Sequence, residues 1–132
     1  MKKPFQEVIT TALSVVVTWG VSNIVKVLVH APRPFVATGA PNTFLVDPYA
    51  SFPSSHAAVF FAFATAVFIV HKPSGILCYG VALGIAIERV VIGVHYPIDV
   101  IVGACIGVGI AYVIGVYGPK LVKYLFPRKA VK

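Results

Sequence analysis

Apolar residues fill this chain in long runs that neither alternate every second position nor leave a broad polar face, and short polar breaks separate them. Runs near the roughly 20 residues that a helix needs to cross a bilayer predict transmembrane helices. Four spans are expected, over residues 7–29, 54–71, 76–94 and 97–117. In the first, Thr11, Ser14, Thr18 and Ser22 recur every three or four positions, and Lys26 continues that stripe. The spacing places them on one helical face, where small residues pack helices together and where Lys26 would aim into the bundle. Trp19 falls near mid-span, away from the interface where Trp concentrates, so it is expected only to pack.

The breaks carry most of the information. Residues 31–53 hold Pro32, Pro34, Pro41 and Pro48 with Gly39 and Asn42; a structureless connection this long is usually functional or disordered, and here it is expected to cover a site. Pro53-Ser54-Ser55-His56 opens the second span with helix-capping serines and puts His56 in its first turn. Lys72 to Gly75 reads as a tight break and Gly93 to Pro97 as another, with Pro97 at the first position of the fourth helix. Gly80 with Gly84, and Gly103 with Gly107, form GxxxG patterns that would bring the third and fourth spans together.

Composition agrees with the pattern. The chain is 58% hydrophobic and 11% charged, with mean hydropathy +0.91, against roughly 25% charged residues in soluble domains. It reads as one membrane domain over residues 1–132. The net charge of +7 does not indicate nucleic acid, because the basic residues are scattered between apolar segments. Cys78 and Cys105 fall inside spans and read as small core residues. The MKK start leads into a run too long for a signal peptide, so an uncleaved first span is expected.

Charge then sets orientation. Four spans put Lys2, Lys3, Lys72, Lys120, Lys123, Arg128, Lys129 and Lys132 on one side, which the positive-inside rule makes cytoplasmic, with both termini. The remaining basic residues, Lys26, Arg33 and Arg89, gather at the outer face with His56, His95 and Asp99. Ionisable groups in an apolar chain are costly and mark function by default. Three cations call for an anion, and phosphate suits the guanidinium fork. The helix start at Ser54, Ser55 and His56 adds free backbone N–H groups and the positive end of a dipole, although plain capping also explains the serines. His95 and Asp99 are four apart, so the carboxylate can fix one ring nitrogen and leave the other to attack, with His56 as a general acid. Asp99 would equally complement the helix dipole. The chain has only four acidic residues, few for a hard metal, and the cations would repel zinc; no metal or other cofactor is expected.

Lys26 with Arg33-Pro34, Pro53-Ser54-Ser55-His56, and Arg89 with His95 and Asp99 together resemble, in order and spacing, the tripartite signature of the type 2 phosphatidic acid phosphatase superfamily. The flanking residues look most like its bacterial undecaprenyl pyrophosphate phosphatase branch. The resemblance implies an all-α integral membrane protein, a four-helix transmembrane bundle like the catalytic half of that fold. It implies metal-independent phosphatase chemistry through a phosphohistidine. His95 would attack phosphorus, Asp99 orient it and His56 protonate the leaving oxygen, while Lys26, Arg33, Ser54, Ser55 and Arg89 bind phosphate. The family pattern commonly has Ser and Gly where this chain has Glu88 and Ser55; a carboxylate there would weaken anion binding unless Glu88 points away. Membrane members typically have six spans, and this chain begins at what would be the third, so a short form, a fragment and a self-assembling homo-oligomer are all open.

The expected function is hydrolysis of a lipid phosphate or pyrophosphate at the outer face of the cytoplasmic membrane, with undecaprenyl pyrophosphate the first choice. Phosphatidic acid or phosphatidylglycerol phosphate is the alternative substrate. The rival of another class is a non-enzymatic membrane subunit that binds phosphate lipids.

Overall fold

With no water to reward the burial of apolar side chains, helices in lipid associate through close backbone approach, and small residues decide where that happens. One segment of this chain is built for it. Ala57, Ala58, Ala62, Ala64, Thr65 and Ala66 are all buried within a single sixteen-residue helix, which becomes the hub of the fold. The computed structural model describes residues 3–125, with side chains over residues 4–120, so Lys2, Arg128, Lys129 and Lys132 of the orientation argument lie outside the described residues.

The elements are α1 (Lys3–Val29), a short α2 (Pro34–Thr38), α3 (Ser55–Val70), α4 (Lys72–Val91) and α5 (Pro97–Leu125). The hub α3 packs against α1, α4 and α5; α1 also packs on α5, while α4 barely touches α5. Among the described residues, three helices, α1, α4 and α5, are long and apolar enough to cross a membrane. At sixteen residues, α3 is only about 24 Å long at 1.5 Å per residue, shorter than a hydrocarbon core of about 30 Å.

Several expectations change. α2 interrupts the loop predicted to be structureless, starting on Pro34 and closing at Gly39 in the left-handed region (φ 70°). The break expected at Lys72 to Gly75 is already the first turn of α4: Pro73 fits an early helical position, and the His71 side chain caps the Ser74 N–H at 3.3 Å. α4 ends at Val91, three residues early, where Gly93 (φ 74°) reverses the chain. α5 continues past Tyr117 through Pro119, because a single missing N–H is tolerated in an apolar helix held by its neighbours.

The stripe on α1 is buried, but its register is Thr10, Ser14, Thr18 and Ser22, with Thr11 only half-buried. Trp19 is 60% exposed and Cys105 is exposed as well, so the one does not pack within the chain and the other is not a core residue. Cys78 is half-buried. The glycine pairs also divide differently. Gly80 and Gly84 meet nothing, whereas Gly103 and Gly107 lie against the Ser54 and Ala58 carbonyls of α3. The close approach is therefore between α5 and α3, not between α5 and α4.

A methyl group at Gly107 would collide with α3 backbone, which has no flexible end to yield. Gly107→Ala is expected to destabilise the fold by about 1–3 kcal/mol, read by thermal unfolding in detergent. Gly84→Ala, which faces open space, should leave the midpoint unchanged; equal effects at the two sites would contradict this packing.

Candidate active site

The last turn of α1, the loop after it, the first turn of α3 and the turn before α5 meet at one end of the fold, around a cleft of about 520 Å³. Lys26, Arg33, Ser55, His56 and His95 line it, together with the apolar Val27 and Val46. The loop does cover this cleft, contributing Asp47, Tyr49 and Ala50 to its walls. Backbone bonds pin it in place: Arg33 N–H donates to the Pro48 carbonyl at 2.8 Å and Ser51 N–H to that of Ala31 at 3.0 Å.

Arg33 is 7% exposed. Its Nε donates to the Asp47 carbonyl at 2.7 Å, and its Nη1 to the Val94 carbonyl at 2.8 Å and towards His95 Nε2 at 3.3 Å. Burial pulls its pKa below the ordinary value, Asp47 and Asp99 oppose that, and Arg89 adds to it; a guanidinium remains protonated regardless. Because a guanidinium only donates, His95 Nε2 must accept. The proton of the neutral ring is therefore on Nδ1, the tautomer anticipated from the His95 and Asp99 spacing.

His95 itself is 4% exposed. It sits in the turn after Gly93, its N–H donating to the Arg89 carbonyl at 3.2 Å. Burial, then the charges of Arg33 and Lys26, outweigh the attraction of Asp99 and lower its pKa to about 4. The ring is neutral near pH 7, with the Nε2 lone pair unprotonated. Nδ1 lies 3.6 Å from Asp99 Oδ2 and has no hydrogen-bond partner. That oxygen is already engaged, accepting from Ser51 Oγ at 2.5 Å and from Tyr96 N–H at 2.9 Å.

The remaining candidates separate. Lys26 Nζ reaches the loop carbonyls of Pro53 (2.6 Å), Ala50 (2.9 Å) and Ser51 (3.5 Å), so it fastens the loop while keeping its charge in the cleft. His56 is exposed at the first turn of α3 and lines the cleft. Ser55 lines it too, and its buried Oγ has no partner. Ser54 is fully buried; its Oγ caps α3 by accepting from Ala57 N–H at 3.4 Å, and its N–H donates to the Asp99 carbonyl at 2.9 Å. Ser54 thus supports the site without facing the cleft. Neither Arg89 nor Glu88 is among the lining residues; Arg89 Nε donates to Glu88 Oε2 at 2.6 Å, so the carboxylate occupies the arginine expected to bind phosphate. Among the described residues, no three His, Cys, Asp or Glu side chains converge as a metal site.

Two features escaped the sequence. Ser51 is 1% exposed against Asp99; its only signal was a position just before the Pro53 to His56 motif. His30, at the cleft edge, stacks on Tyr49 with ring centroids 5.3 Å apart, a pairing across a loop that no local spacing announces.

A buried histidine whose Nε2 accepts from Arg33, with Lys26 nearby and a carboxylate behind it, thus sits at one end of a helical membrane fold. Residues 7–123 match the PAP2 superfamily, to which the chain belongs. It is 38% identical over 100 residues to the putative undecaprenyl-diphosphatase YbjG of Escherichia coli (strain K12), covering 75% of this chain and 48% of that protein. It is also 42% identical over 71 residues to the bacitracin transport permease protein BcrC of Bacillus licheniformis, covering 54% of this chain and 35% of that one. The chain thus spans half or less of the length of these curated relatives. No solved structure matches it.

The depressed pKa has a definite sign. The folded value of about 4 lies below an unfolded value of about 6.5, so stability owed to the neutral ring is fully present above the unfolded value and is lost as pH falls between the two. Histidine-selective NMR in detergent should find His95 still neutral at pH 6; a midpoint at or above the unfolded value would contradict the geometry.

Proposed function

We propose that the chain is an integral membrane phosphatase that removes a phosphoryl group from a lipid pyrophosphate or phosphate without a metal ion, through a phosphohistidine. The observation that carries this reading is His95 Nε2, a buried and unprotonated nitrogen that already meets the donor, Arg33, expected to bind a phosphoryl oxygen. An arriving phosphate takes over the Arg33 donor and frees the lone pair. The bond from Nε2 to phosphorus forms as the bond to the leaving oxygen breaks, and His56 supplies a proton to that oxygen. Water then attacks the phosphohistidine, His56 takes its proton, orthophosphate departs and Arg33 returns to Nε2. Lys26, Arg33, Ser55 and the first N–H groups of α3 offset charge on the equatorial oxygens, with Arg89 joining on release from Glu88.

The Escherichia coli relative's name supports undecaprenyl pyrophosphate as substrate, converted to undecaprenyl phosphate. Orientation follows from charge. In a four-span topology eight of the eleven basic residues of the sequence fall on the side of Lys72 and the two termini, and three, Lys26, Arg33 and Arg89, on the cleft side; by the positive-inside rule this supports a cleft at the outer face and both termini in the cytoplasm. In this reading α1, α4 and α5 cross the membrane and the shorter α3 crosses with them.

Phosphate release in detergent, with chelator present, tests the activity: the wild type should turn over and His95→Ala should lose nearly all of it, whereas a mere lipid binder would keep its affinity and show no turnover. Phosphatidic acid and phosphatidylglycerol phosphate serve as competing substrates. The leaving group adds a sharper check. A pyrophosphate expels a phosphate, a far better leaving group than the alkoxide expelled from a monoester. His56→Ala should therefore cost about 10²–10⁴-fold on phosphatidic acid, the usual range for a general acid, and distinctly less on undecaprenyl pyrophosphate; equal losses would remove His56 from the acid role.

A further inference from the structure

Between the cleft and α5 lies a hydroxyl that the reaction above does not use. Ser51 is 1% exposed, and three of its groups reach three different parts of the site. Its N–H donates to the Ala31 carbonyl (3.0 Å), two residues before Arg33. Its carbonyl lies 3.5 Å from Lys26 Nζ. Its Oγ donates to Asp99 Oδ2 at 2.5 Å, a short bond of the charge-assisted kind. Tyr96 N–H holds the same oxygen from the opposite stretch of chain at 2.9 Å.

That oxygen is also the one nearest to His95 Nδ1, whose proton has no partner at 3.6 Å. Two donors on one oxygen oppose a turn of the carboxylate towards the ring. A small movement of His95 towards Asp99 would close the gap while keeping both of these bonds.

Resting on the reading of His95 as nucleophile, we propose that Ser51 is a positioning residue. It fixes Asp99 Oδ2 so that the carboxylate orients His95, and it ties that orientation to the loop carrying the phosphate-binding Arg33. It touches neither substrate nor the reacting atoms. The loop thereby does more than cover the cleft: if its Ser51 end shifts, the carboxylate loses one of its two anchors.

The test is a cycle of Ser51→Ala and Asp99→Asn in full-length protein, with folding followed by thermal unfolding. Ser51→Ala should lower kcat by on the order of 10²-fold, as a misplaced catalytic group does, with KM nearly constant, and should cost little further in the Asp99→Asn background. A structural role would instead reduce the folded fraction and cost the same in both backgrounds. Should Ser51→Ala fail to fold, Ser51→Cys keeps the volume but donates weakly and is read in the same way. Unchanged kcat, a rise in KM alone, or equal losses with and without the Asp99 carboxylate would overturn the proposal. The His95 Nδ1–H resonance gives a reading without turnover: it moves in Ser51→Ala if Asp99 reorients and stays if the hydroxyl is incidental. An active His95→Ala would remove the reaction assigned above, whereas activity that needs His95 and Asp99 but ignores Ser51 removes this inference alone.

Discussion

Arg33 donates from its backbone to Pro48, from Nε to Asp47 and from Nη1 to Val94 and His95, while only 7% exposed. The cleft end of the protein depends on this one guanidinium. It closes the loop after α1 onto the turn before α5, so two segments about sixty residues apart in sequence share a single charged group. A cation buried this far is tolerated because carbonyl oxygens replace the water it gave up. The same group fixes the His95 tautomer and, through its charge, helps keep the ring neutral. Lys26 repeats the arrangement on the other side of the loop, spreading its ammonium over three carbonyls. Neither cation is neutralised by a carboxylate at bonding distance, which leaves net positive charge facing the cleft, the condition a phosphoryl group requires.

The helices bring the pieces together through alanine and glycine. The start of α3 carries Ser55 and His56 into the cleft, and its approach to Gly103 and Gly107 brings the first turns of α3 and α5 side by side. Ser54 N–H then bonds the Asp99 carbonyl, so the backbone that presents His56 is joined to the backbone that presents Asp99. Small residues at the helix contact thus have a chemical consequence: bulk between α3 and α5 would separate the proposed acid from the carboxylate that orients the nucleophile.

Much of the site was legible because ionisable residues in an apolar chain are scarce and their spacing survives folding. His95 and Asp99 four apart, His56 in a first turn and Lys26 at the end of a buried stripe all read directly. What could not be read was direction around each helix. In a soluble protein the apolar side marks the core, but here the lipid-facing and buried surfaces are equally apolar, so nothing local told Trp19 or Cys105 that they face outwards, or told Gly80 and Gly84 that they meet nothing. Ser54 and Ser55 are neighbours with different surroundings for the same reason. Ser51 and the Glu88 pairing with Arg89 depend on tertiary placement of a loop and of a side chain, which sequence spacing does not encode.

The central claim is that His95 Nε2 carries the phosphoryl group. Lipid pyrophosphate labelled with ³²P in its terminal phosphate, mixed with protein and quenched within a turnover, should leave acid-labile, base-stable label on His95 and none on His95→Ala. Turnover with no labelled histidine, or label on another residue, would contradict the account.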